Sequence, residues 1–137
     1  MPMISDPESD ALLSANLDFY RAFTTHDVAA MARVWAMETP VLCMHPGWTL
    51  LRGRAAVMDS WQQILSNPDA PHVNCHEDQA FVFGEVGIVT CEEELDGGWL
   101  AATNMFVKEQ GTWRLVHHQA SPILSRRAEP ARPGRLH

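Results

Sequence analysis

At 137 residues and a net charge of −7, the chain has the size of one domain and the wrong sign for a nucleic-acid binder, which needs a concentrated basic face. A hydrophobic share of 46% is ordinary for a globular protein that buries its core without a metal or disulfide staple. Cys43, Cys75 and Cys91 are scattered, with no CxxC pair. "MPMISDPESD" is no basic-then-apolar leader, and no apolar run is long enough to cross a bilayer; the expectation is a reduced, cytoplasmic domain away from membranes.

The chain opens on a helix signal, "SDPE", in which Ser5 or Asp6 caps and Pro7 occupies the first turn. Leu12, Ala15, Phe19, Ala22 and Phe23 then recur at helical spacing to about Thr24. Asp27 starts a second, short helix carrying Met31, Val34 and Trp35, which ends before Pro40. "VLCMH", Val41 to His45, reads as a brief strand, and "PGW" turns out of it. From Gly53 a third helix presents Val57, Trp61, Ile64 and Leu65 on one side and stops ahead of Pro68.

After that the period changes to two. "HVNCHEDQAFVF" reads as a strand bulged around Glu77–Gln79, and "GIVTCEEEL" as its return. "DGG", Asp96 to Gly98, is a hairpin turn because its residues accept positive φ at low cost. "WLAATNMFVKE" and "TWRLVHHQASP" complete a meander of four long strands. The end, "RRAEPARPGRLH", has almost no large apolar group to offset its ordering entropy. The domain is therefore expected over 1–122, with a loose basic tail over 123–137.

Helices first and antiparallel strands last give an α+β layout, with three N-terminal helices on the concave face of a curved, mostly antiparallel sheet. Three helices do not fill that concave side, so a cone-shaped ligand cavity is expected. "FYRAFTTHDVAAMARVWA", "VLCMHPGWTLLRGRAAVMDSWQQIL" and "TNMFVKEQGTWRLVHHQAS" resemble the nuclear transport factor 2-like superfamily, in its SnoaL-like and ketosteroid-isomerase-like branch. The likeness runs from about Leu12 to Ser121. It implies a cone-shaped α+β barrel and a homodimer paired through the outer sheet face. It implies no one reaction, because isomerases, dehydratases, polyketide cyclases and proteins that only bind share the fold.

Laid over ketosteroid isomerases, the tyrosine of the first helix falls on Phe19, the proton-moving aspartate on His45, and the late-strand aspartic acid near Asn104. None of the three is retained, so ketosteroid isomerisation is not expected. Tyr20 lies about 100° further round the helix. The replacements still have chemistry. An imidazole titrates at about 6.5 when unperturbed, so His45 suits proton shuttling near neutral pH, or else bonds to backbone at the rim. Asn104 offers two amide donors to a carbonyl or enolate oxygen, or else bridges polar groups inside the sheet.

On the last strand, alternation sends Trp113, Leu115, His117 and Gln119 toward the core and cavity, and Arg114, Val116 and His118 to the outer face. His117 then joins His45 and Asn104 as a catalytic candidate, or is a core histidine satisfied by a carbonyl. Phe19, Tyr20, Trp48, Trp61 and Gln119 line the pocket, with Trp48 as its lid. In "CEEEL", Glu92 and Glu94 share one face and Glu93 takes the other; the run reads as solvated. No metal is expected: His117 and His118 point apart, His72 and His76 are about 13 Å apart along a strand, and there is no HExxH. No cofactor is expected either.

The first functional expectation is proton transfer or elimination on a small, mostly apolar carbonyl compound, without a cofactor and with His45 as base. The alternatives are a non-catalytic ligand-binding module and an interaction domain whose pocket is filled core. An open cavity where His45, Asn104 and His117 converge favours the first two, and a cavity closed by aromatic side chains the third.

Overall fold

The computed structural model describes residues 6–124. Asp6 caps α1 (Pro7–Thr24) by accepting the Glu8 N–H at 3.1 Å, and Pro7 sits at the first helical position, where its missing N–H costs nothing. The buried stripe of α1 is Leu12, Asn16, Phe19, Tyr20, Ala22 and Phe23, apolar except for one amide and one phenol. Asp27 caps α2 (Val28–Val34) through the Ala30 N–H, and Trp35 leaves the helix in extended conformation to bridge Leu115. Then come β1 (Leu42–Met44), β2 (Leu51–Arg52) and α3 (Arg54–Ser66). Two residues show no periodicity, so β2 is not foreseen by pattern. The meander follows as β3 (Asn74–Phe83), β4 (Val86–Leu95), β5 (Gly98–Glu109) and β6 (Thr112–Pro122).

The strands form one curved, unclosed sheet in the order β2-β1-β6-β5-β4-β3, antiparallel throughout except where β1 runs parallel to β6. α1 lies against β3, β4 and β6, while α3 lies against β1 and β2. Gly87 permits the close approach of α1 to β4, since a Cβ there would sit 2.6 Å from Leu12 Cδ2. Between helices and sheet, Phe19 stands edge-on to Tyr20, Phe23 and Trp61 at 4.8, 6.3 and 5.5 Å, and Trp35, Phe106 and Leu115 are fully buried. No helix among the described residues is long and apolar enough to cross a membrane. β6 ends at Pro122, and 125–137 of the expected tail lie outside the described residues.

One expectation is corrected here. Met105 pairs with His117, but Phe106 pairs with Leu115, so β6 carries Val116 as an extra residue in a bulge. Leu115 and Val116 are both buried, and beyond them the alternation is inverted: His118 and Ala120 face in, while His117 and Gln119 do not. His118 and Val116 therefore leave the expected outer face. The bulge expected around Glu77–Gln79 of β3 lies between His76 and Gln79, with Glu77 at φ 57°.

Candidate functional site

The inner face of the sheet and the facing side of α1 enclose a polar cluster. Asn104 of β5 is its hub. Its amide nitrogen donates to Asn16 Oδ1 at 2.8 Å and to the Tyr20 hydroxyl at 3.0 Å. Its carbonyl oxygen must then be an acceptor, so His118, opposite it in register, donates from Nδ1 at 2.6 Å. That fixes the imidazole tautomer and leaves Nε2 with a lone pair. Burial, then His45 and His117 nearby, holds the His118 pKa down at about 3, so the ring is neutral.

The Tyr20 hydroxyl donates in turn to Glu93 Oε2 at 2.6 Å and lies 3.2 Å from Cys91 Sγ. Glu93 is 2% exposed. Burial pushes its carboxyl up to about 7, against the opposing pull of the Tyr20 bond. Burial first, then the neighbouring Glu93, raises Tyr20 well above the ordinary phenol range and takes the Cys43 thiol up to about 12. Glu93 is the residue that sequence reasoning missed. Its signal was present: on β4 it is in phase with Val89 and Cys91, both buried, and out of phase with Glu92 and Glu94.

His45, immediately after β1, adjoins this cluster beside His118. Ser60 of α3 has one hydroxyl proton and gives it to the Val57 carbonyl at 2.7 Å, so at 2.9 Å it accepts the His45 Nε2–H. The ring's lone pair is then on Nδ1. Burial lowers the His45 pKa to about 4, which keeps it neutral. Trp61 packs edge-on against one side at 4.8 Å; Trp48, 42% exposed, stands edge-on at 4.8 Å from the loop that follows. His45 and His118 have ring centroids 6.5 Å apart.

Of the expected site residues, His45, Asn104, Phe19, Tyr20 and Trp61 thus converge inside, and Trp48 covers His45 from the solvent side. Tyr20, not only Phe19, reaches the interior. His117 and Gln119 line a different feature, a groove of about 660 Å³ on the outer sheet face shared with Gln79, Thr90 and Thr103. Among the described residues no three His, Cys, Asp or Glu side chains are grouped to hold a metal ion.

Helices closed over one face of such an unclosed curved sheet, with polar side chains meeting inside, define a conical α+β fold common to NTF2-like proteins. The chain belongs to the SnoaL-like domain family, whose profile matches residues 12–125. It is similar to a protein of the NTF2-like family from Streptomyces avermitilis, provisionally named a dehydratase: 29% identity, TM-score 0.81, covering 88% of this chain and 99% of that one. It is also similar to a provisionally named calcium/calmodulin-dependent protein kinase type II association domain from Thiobacillus denitrificans, at 28% identity and TM-score 0.72 over 90% of this chain and 99% of that one. A curated relative, the F-box protein SKIP8 of Arabidopsis thaliana, is 30% identical over 116 residues, 83% of this chain. The chain spans only half the length of that relative.

Proposed function

We propose that the interior cluster is an acid–base site and that the chain is a cofactor-free enzyme of proton transfer or elimination on a small, mostly apolar carbonyl compound. The observation that carries this reading is the Ser60–His45 bond, which presents a neutral imidazole with its Nδ1 lone pair free to act as base. A ring with a pKa of about 4 is a weak base, but an oxyanion developing beside it favours its charged form and raises its basicity. Phe19 and Trp61 supply the apolar walls that strengthen such contacts by excluding water. Trp48 acts as the lid through which substrate reaches His45. The likeness to the S. avermitilis protein supports the elimination branch.

The test works whatever product the reaction forms. Small cyclic ketones and β-hydroxy ketones are incubated with the protein in D2O, and exchange of their α-hydrogens is followed by NMR. Catalysed exchange is expected, falling by roughly 10²-fold in His45→Ala, the scale for loss of a general base. No exchange with any compound, or equal exchange by the variant, rejects the reading.

A second reading is an association domain in which the cluster only specifies a unique core. Two observations favour it: the interior walls are aromatic, and the polar groups largely satisfy one another. The likeness to the T. denitrificans association domain points the same way.

A further inference from the structure

We propose that Glu93 and His118 form the oxygen-binding end of the interior site, closing on the hydroxyl or carbonyl oxygen of a small uncharged ligand, with Glu93 as its acid. This rests on the interior being a ligand site, and it names both a further catalytic group and the charge class of the ligand.

Glu93 Oε2 and His118 Nε2 face each other at 3.9 Å, and both side chains are 2% exposed. That separation is too long for a direct hydrogen bond. It is the right size for one shared oxygen, which at about 2.8 Å from each atom subtends roughly 90°. The tautomer fixed by Asn104 makes Nε2 an acceptor. A bare carboxylate aimed at that lone pair would only repel it, whereas a carboxylic acid turns the pair into one donor and one acceptor. A hydroxyl matches both, accepting from Glu93 and donating to His118; a carbonyl oxygen uses the Glu93 proton alone. From α3, with its ring centroid 6.1 Å from that of His118, Trp61 carries a buried indole N–H that has no hydrogen-bond partner. A buried donor without a partner is costly, and a ligand oxygen is one group that would satisfy it.

Charge sets the ligand class. The groups around Glu93 are Tyr20 from α1, Cys91 from its own strand, Cys75 from β3, His118 from β6 and Cys43 from β1, with Asn104 of β5 behind them, bonded to the Tyr20 hydroxyl. No lysine or arginine is among them. A carboxylate or phosphate ligand would bury a negative charge there without a counter-ion, which costs several kcal/mol per ion. For a leaving hydroxyl, the Glu93 proton goes to the departing oxygen as its C–O bond breaks, and the adjacent C–H proton goes to His45. A C=C bond forms and water departs. Return of the His45 proton to Glu93 restores both groups.

The test uses the full chain, labelled with ¹³C at glutamate side-chain carboxyls. The Glu93 signal is assigned through bonds from its own backbone amide, so no variant has to fold. The expected result is a Glu93 carboxyl that keeps its acid form to about pH 7, well above the unperturbed glutamate value of about 4.3. Cyclohexanone and cyclohexanol should shift that signal, with cyclohexanecarboxylate at least about tenfold weaker. A shifted signal without α-hydrogen exchange supports the oxygen-binding end while rejecting catalysis. A Glu93 that titrates at the unperturbed glutamate value of about 4.3, ignores cyclohexanone at millimolar concentration, or responds equally to the carboxylate overturns the proposal.

Discussion

Of the interior side chains with displaced titrations, Glu93, His45 and His118 change charge between acid and neutral pH, and their effects on stability have opposite signs. Between about pH 4.5 and 7 the folded chain keeps a proton on Glu93 that the unfolded chain has lost. Its contribution to stability therefore falls as pH rises through that window, by about 3 kcal/mol in all. His45 and His118, held down at about 4 and about 3, refuse protons that the unfolded chain accepts, so their contribution is lost as pH falls below about 6.5. The windows overlap, and the wild-type profile alone does not separate them. Glu93→Gln does, because glutamine does not titrate and the histidine terms cancel in the comparison. In urea unfolding the variant should gain on wild type by about 3 kcal/mol between pH 4.5 and 7. A difference that stays constant across that range contradicts a buried, protonation-shifted Glu93.

At the scale of the elements, one extra residue decides which histidine belongs to the site. Val116 shifts β6 by one position relative to β5, and His118 rather than His117 meets Asn104. His118→Ala should then cost about 2–3 kcal/mol, because it opens a cavity and strips the Asn104 carbonyl of its donor. His117→Ala should stay within about 0.5 kcal/mol, since the Nδ1 of that half-buried ring has no hydrogen bond to lose. Equal losses in thermal or urea unfolding would place the bulge elsewhere. The β3 bulge was legible in sequence because the polar run Glu77–Gln79 breaks the alternation. The β6 bulge was not, because Leu115 and Val116 are both apolar and either one fits a core. The helices and the meander were legible from period and caps, Asp6 and Asp27 included. Glu93 was legible from its phase with Val89 and Cys91, but three adjacent acids look like a solvated edge. Tyr20 stands about 100° from Phe19, yet α1 is enclosed over a wider arc than one stripe, by α2 on one side and β3 and β4 on the other.

For the whole molecule, the sheet face that carries no helix needs a cover. Its rows follow from register. Phe81, Ile88, Met105, His117 and Leu42 lie side by side across β3, β4, β5, β6 and β1, and Phe83, Val86 and Val107 form the next row. Phe81 and Phe83 are 43% and 63% exposed, so the face ends on two uncovered aromatic rings. A contiguous apolar face of this kind marks an interaction surface, and the simplest partner is a second copy related by a two-fold axis. We expect a homodimer through this face. Val116 and His118 lie inside and do not probe it, but Met105, at the centre of the longest apolar row, does. Met105→Asp should shift a dimer to monomer in sedimentation at micromolar concentration while leaving the interior cluster intact. A wild-type chain that is already monomeric there refutes the pairing. The same variant also weighs the two functional readings. If the Met105→Asp monomer still exchanges α-hydrogens at the wild-type rate, each cone works alone and pairing only covers the face. If it folds and exchange is lost, the neighbouring subunit holds the cone in its working shape. If a dimer forms and neither protein exchanges anything, association is the activity that remains.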